Sequence, residues 1–146
     1  MTDGISSRTV EVQCGDLEGP ALDWAVAKAT GAADLKVSDS GSVCCIYAMV
    51  CGSGCWTNLY QPSTDWSQGG PLLDAHCKGF GLVQDRQDRT WRAFGYGNGE
   101  AFDPERAMRL ASGSTILITA CRAIVIAKMG EVVSVPAELV ENKSRE

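Results

Sequence analysis

The sequence predicts an α+β domain: a small, mostly antiparallel sheet packed by an N-terminal helix and a long C-terminal helix. Three observations predict it. Residues Thr9 to Cys14 alternate polar and apolar, the period of a half-buried strand. Leu22, Ala25, Val26 and Ala29 recur at helical spacing behind Gly19-Pro20. The run Ile116 to Ala127 is apolar except for one arginine, Arg122, and reads as a buried helix.

In the first strand Val10, Val12 and Cys14 share one face, and Thr9, Glu11 and Gln13 share the other. Proline suits the opening of the first helix, and Gly31 stops it. Trp24 lies off that helix's core stripe, beside Asp23 and one turn before Lys28, so it covers a second element or lines a pocket. Val43 to Val50, with Cys44, Cys45, Ile46 and Tyr47, reads as a strand that turns at Gly52-Ser53-Gly54 into a partner over Cys55 to Tyr60. Pro62 to Pro71 reads as a polar, glycine-bearing loop. Gly79 to Gln84 and Thr90 to Phe94 read as a second hairpin across the charged stretch Asp85 to Arg89. Asp103-Pro104 suits the start of a short helix ending near Ser112-Gly113. Ser114 or Thr115 then caps the long helix, which stops at Gly130. The chain is expected to form one domain over 1–146, with 1–8 and the polar tail 141–146 flexible.

Composition narrows the function classes. Hydrophobic residues make up 45% of the 146 and charged ones 21%, a globular balance that excludes a disordered chain. A net charge of −5 without any cluster of Lys or Arg argues against gripping a phosphate backbone, so direct nucleic-acid binding is not expected. No apolar run approaches the roughly 18 residues of a membrane span, and Met1-Thr2-Asp3-Gly4 lacks the basic and apolar regions of a signal peptide. A cytoplasmic protein with no membrane contact is expected.

Seven cysteines is an odd count, and with no mark of export they are expected to be reduced. Cys44, Cys45, Cys51 and Cys55 cluster without forming paired Cys-x-x-Cys knuckles, and the only histidine, His76, stands beside Cys77. They read as small apolar residues on strands. No metal and no cofactor is expected, and a Cys-His nucleophilic pair has no better support.

Several stretches together resemble one family, the NinX-like proteins of lambdoid and related phages. Leu17, Gly19 and Ala21 to Ala27 resemble its N-terminal helix, and Pro62 to Pro71 its central loop. Gly113 to Gly130 is similar to its last helix, with Arg122 and Lys128 in matching places, and Val133, Val135, Pro136, Glu138 and Leu139 resemble its closing segment. The chain departs from the family pattern at Ile116, where the pattern has proline, at Ala123, where it has cysteine, and over Asp34 to Cys55. The resemblance implies a phage or prophage origin and expression inside a bacterial cell. It implies no reaction.

Arg122 raises the functional question, because a buried guanidinium needs an anion: a carboxylate of this chain or the acidic group of a bound molecule. Trp24 from the first helix, Ser63, Thr64, Asp65, Trp66, Gly69 and Gly70 from the loop, and Trp91 from the second hairpin can converge with it on a planar anion. Indole faces stack on a flat ring, hydroxyls and glycine amides contact phosphate oxygens, and the arginine binds bidentately. That set suits a nucleotide-like ligand, and a phage protein that sequesters a bacterial immune signal of this kind is one expectation. The alternative is an interaction protein of phage DNA metabolism or host takeover, docking on a host or phage protein. In that case Asp23 or Asp65 pairs with Arg122, the tryptophans pack around the pair, and Gly69-Gly70-Pro71 is a sharp turn. Asp23, Asp65 and Asp74 have no spacing that sets a catalytic geometry, so an enzyme is not the expectation. The long helix, apolar almost all round, calls for more cover than a short chain supplies, which points to a homo-oligomer.

Overall fold

A computed structural model of the chain describes residues 8–48, 54–76, 90–95 and 109–144. Strand β1 (Thr9–Gln13) runs antiparallel to β7 (Val132–Pro136), with Val10 opposite Val135 and Val12 opposite Val133. A 3-10 turn at Cys14–Asp16 leaves β1. The Cys14 amide donates to the Glu131 carbonyl at 2.8 Å and its thiol to the Gly130 carbonyl at 3.1 Å, which stitches two turns far apart in sequence.

Helix α1 (Gly19–Ala29) starts at a glycine with φ +60° and carries Pro20 in its first turn, where a missing amide costs no hydrogen bond. Its end is closed by the Thr30 hydroxyl, which donates to the Val26 carbonyl at 2.8 Å, and by Gly31 at φ +79°. The buried face is wider than the sequence stripe. It takes in Ala21, Leu22, Ala25, Val26 and Ala27 and also Asp23, while Ala29 is only half-buried.

A strand that the sequence reading did not predict, β2 (Ala33–Val37), pairs with β3 (Val43–Ala48), which pairs in turn with β4 (Gly54–Thr57), all antiparallel. β2 is irregular between Ala33 and Lys36, and Asp34 sits there at φ +53°, which hides its strand period. The predicted hairpin is present, but β4 stops at Thr57. Tyr60 instead turns into the core, its amide bonded to the Val43 carbonyl at 2.8 Å. Its turn at Gly52-Ser53 lies outside the described residues.

The predicted loop Pro62 to Pro71 is corrected: from Trp66 it is helical, the start of α2 (Trp66–His76). Asp65 explains why. Its carboxylate accepts from the Ser67 amide at 2.9 Å and the Ser67 hydroxyl at 2.7 Å, and its carbonyl accepts from the Gly69 amide at 2.8 Å. Two glycines and an internal proline predict no helix locally, at a cost of about 1 kcal/mol for each glycine. Tertiary contact overrides them. A Cβ on Gly69 would strike the Pro62 carbonyl oxygen and come within 2.8 Å of Leu117 Cδ2, so only glycine lets the turn before α2 lie against this helix. Gln68 adds two bonds to the same segment, accepting from the Gln61 amide at 2.7 Å and donating to the Leu59 carbonyl at 3.3 Å.

Strand β5 (Trp91–Gly95) is present as expected, but its partner is β6 (Arg109–Gly113), antiparallel, with Ala93 opposite Ala111. The helix predicted to end near Ser112-Gly113 is therefore a strand at that end. Its predicted start at Asp103, and Gly79 to Gln84, lie outside the described residues. Ala111 and Ala93 sit on Ala123 of the next helix, a close approach that small side chains permit and helix propensity does not reveal.

That helix, α3 (Ile116–Met129), is capped as predicted. The Thr115 hydroxyl accepts from the Ile118 amide at 3.1 Å, and Gly130 ends the helix at φ +99°. α1, α2 and the β5–β6 pair all lie against it and bury Leu117, Ala120, Cys121, Ala123, Ile124 and Val125. After β7 the chain ends in α4 (Ala137–Ser144), whose Leu139 joins the main core with Val133, Val135, Leu22, Val26, Cys121 and Val125. These antiparallel pairs and helices make the α+β class that the sequence predicts.

The two glycines of α2 should behave oppositely. Gly69→Ala should lower stability by about 1–3 kcal/mol through overpacking. Gly70→Ala, whose added Cβ meets only Trp66 Cε3 at 3.9 Å, should raise it by up to about 1 kcal/mol through helix propensity. Thermal unfolding of both variants checks this.

Candidate functional site

Arg122 faces the turn before α1 and the end of β6. Its Nε donates to the Leu17 carbonyl at 2.8 Å and its Nη1 to the Ser112 carbonyl at 2.9 Å. In place of the expected carboxylate of this chain, the described partners are two backbone carbonyls. Carbonyls at the ends of a 3-10 turn and a strand need donors, and a guanidinium supplies several from one planar group. Burial pushes the Arg122 pKa down, and Asp16 opposes that shift from a distance.

The acidic residues proposed as its partners are engaged elsewhere. Asp23, 4% exposed, accepts the Ser63 amide on Oδ1 at 2.9 Å and so fastens the turn before α2 onto α1. Desolvation pushes its carboxyl up to about 7, against the pull of the Ser63 amide and hydroxyl. The Ser63 hydroxyl is buried beside the Asp23 carboxyl, and no other partner is described for it. Asp65, at the cap of α2, is held below the usual carboxylate range by the Ser67 hydroxyl and amide. Asp74 lines a separate cavity of about 350 Å³ with His76, Tyr47 and Tyr60, where the two tyrosine rings meet at 5.1 Å. The three carboxylates therefore stand in three different surroundings.

Ser63, Thr64, Trp66 and Trp91 do come together. They line a cavity of about 420 Å³ with Ser114, Thr115 and the first turn of α3, Ile116 to Ile118. Trp66 is 56% exposed, so one indole face is open to solvent. The amino end of a 14-residue helix forms the floor. Its first amides have no intrahelical acceptor, and the helix dipole places about half a positive charge there. Thr115 takes up the Ile118 amide as a cap and keeps its own hydroxyl proton to donate. Stacking surfaces, hydroxyls and a helix amino end on one cavity suit an anionic group joined to a flat ring.

Other predicted residues serve this cavity from behind or lie away from it. Asp65 caps α2, and Gly69 seats Pro62, the residue before Ser63. Gly70 stands next to Gly69 on α2 with Trp66 nearby. Trp24 is not at the cavity: it packs on the main core with Lys28 Nζ 5.4 Å from its ring centre. Arg122 is not among the described lining residues either. Sequence reasoning took Ser114 and Thr115 only as a cap and missed that the cap marks the floor of a cavity. Among the described residues Cys14, Cys44, Cys45, Cys55 and Cys121 form no disulfide.

The fold and the cavity define a small α+β protein with an open aromatic and hydroxyl-lined recess at a helix amino end. The chain belongs to the phage family described as Bacteriophage P22, NinX, whose sequence profile matches residues 13–128. No curated protein matches the chain. The matched stretch holds every described residue that lines the 420 Å³ cavity. β7 and α4, including the closing segment from Val133, lie beyond it. Among the described residues no helix is long and apolar enough to cross a membrane.

Two outcomes are expected. Arg122→Ala should cost about 2–3 kcal/mol in urea unfolding, because two charge-assisted bonds are lost and two carbonyls are left without donors. The Asp23 pKa is raised on folding to about 7, so the stability tied to it is full below about pH 4 and is lost as pH rises through about 7. Asp23→Asn, which keeps an acceptor for Ser63, should flatten that slope and leave the variant more stable than the parent at pH 8, by on the order of 3 kcal/mol.

Proposed function

We propose that this phage protein is an accessory factor that works in the bacterial cytoplasm by binding a small anionic, nucleotide-like ligand without turning it over. The observation that supports the reading is the recess itself, where Trp66 and Trp91 share one cavity with four hydroxyl side chains and the amino end of α3. The ring of the ligand stacks on indole and the anionic group seats at the helix end. Sequestering a bacterial immune signal is a use that such a non-enzymatic binder serves.

A second reading has its own support. Trp56, Leu59 and Trp66 are 54%, 49% and 56% exposed and come from one short stretch of chain. Large apolar side chains left in water suit docking on a host or phage protein. Arg122, bonded to carbonyls, then has a purely structural role, and the protein serves DNA metabolism or host takeover through its partner.

A thermal-shift screen against mononucleotides, cyclic di- and oligonucleotides and nucleotide sugars separates the two. Under the ligand reading one class at about 100 times its Kd stabilises the protein by roughly 2.7 kcal/mol, a rise of several degrees, and Trp66→Ala removes the shift. A flat response across the panel favours the protein-partner reading.

A further inference from the structure

The second cavity, about 350 Å³ in volume, is walled by the carboxyl end of α1 and the second half of α2, together with Tyr47 of β3 and Tyr60. Its size falls in the range of small-molecule pockets, roughly 300–1,000 Å³. Its electrostatics are the reverse of those at the amino end of α3. The dipole of the 11-residue α1 leaves about half a negative charge near Thr30 and Gly31. Lys28, the basic residue of that last turn, has its Nζ 5.4 Å from the Trp24 ring centre and is not among the described lining residues. Asp74 is exposed, and no described group forms a hydrogen bond or ion pair with its carboxylate. Tyr60 is 2% exposed and Tyr47 only half-buried, with ring centres 5.1 Å apart, so Tyr47 is the accessible aromatic wall and Tyr60 supports it. The Tyr60 hydroxyl is engaged with Thr30, and that of Tyr47 with Cys55 and Gln68, which leaves the ring of Tyr47 to meet a ligand.

We propose that this cavity binds a small alkylammonium ion, its charged head set between Asp74 and the Tyr47 ring and its stem on Leu72 and Ala32. An aromatic ring attracts a cation through its quadrupole, and a carboxylate and a helix carboxyl end add charge of the matching sign. An anion would meet repulsion from both. The two cavities share no described lining residue, so this site stands apart from the nucleotide-like reading of the other recess.

The test titrates the isotope-labelled full chain with n-butylamine and with n-butanol, its uncharged match, and follows the backbone amides by NMR. His76 also lines the cavity, so the titrations are run at about pH 7.5, where an imidazole is ordinarily mostly neutral. Butylammonium should move the signals of Gly31, Ala32 and Ala75 saturably, and butanol should bind roughly three- to thirtyfold more weakly. Asp74→Asn, at an exposed residue without a bond to lose, should melt with the parent and bind butylammonium about two- to fivefold more weakly. Tyr47→Phe, which keeps the ring, should bind as the parent does. Equal affinity for the amine and the alcohol, shifts confined to residues outside the cavity, or parent-like binding by Asp74→Asn overturns the proposal. Loss of binding in Tyr47→Phe overturns the ring contact on which it is built.

Discussion

Between Ile116 and Ala127 the chain carries one charge, and hiding so much apolar helix from water is the constraint that positions the other elements. α1 and the β1–β7 pair share the main core with Cys121 and Val125. α2 brings Leu72 and Leu73 to Ala120 and Ile124, and β5–β6 brings Ala93 and Ala111 to Ala123. Small residues at these contacts let backbones come close. The recess is the space where α2 and β5 converge on the amino end of that helix. Burying α3 and forming the recess are thus two results of one packing arrangement.

How much of this was legible in the sequence depended on whether the signal was local. β1, α1, β3 and α3 were legible because period, cap and stop signals agreed with the final packing. Thr115 and Gly130 bound α3 as their chemistry requires. The elements that were misread owe their form to distant partners. Gly69 is helical because of Pro62 and Leu117, β6 is a strand because Ala93 and Ala123 receive it, and β2 is broken by Asp34. The site follows the same rule. Ser63, Thr64, Trp66 and Trp91 meet as composition suggested, whereas Arg122 and Trp24 were grouped with them only because charge and aromaticity carry no address.

The interior polar groups are handled in two contrasting ways. Arg122 keeps its charge by spending it on carbonyl oxygens of two separate segments, so its bonds hold the Leu17 turn and the end of β6 to one helix. Asp23 sits in drier surroundings with the Ser63 amide, and its carboxyl moves toward neutrality. One polar group acts as a cross-brace and the other as a clip that titrates near neutral pH. Both fasten irregular chain to helix, the kind of join that apolar packing alone specifies poorly.

The β1–β7 pair joins Thr9 to Pro136 and Gln13 to Val132. During synthesis β1 leaves the ribosome more than a hundred residues ahead of its hydrogen-bonding partner, an interval on the order of ten seconds at ordinary translation rates. Through that interval Val10 and Val12 belong to an unpaired strand, the kind of edge that recruits other chains. Thr9, Glu11 and Gln13, polar and exposed on the opposite face, then have a task that the finished molecule conceals: they keep a waiting strand soluble until its partner arrives.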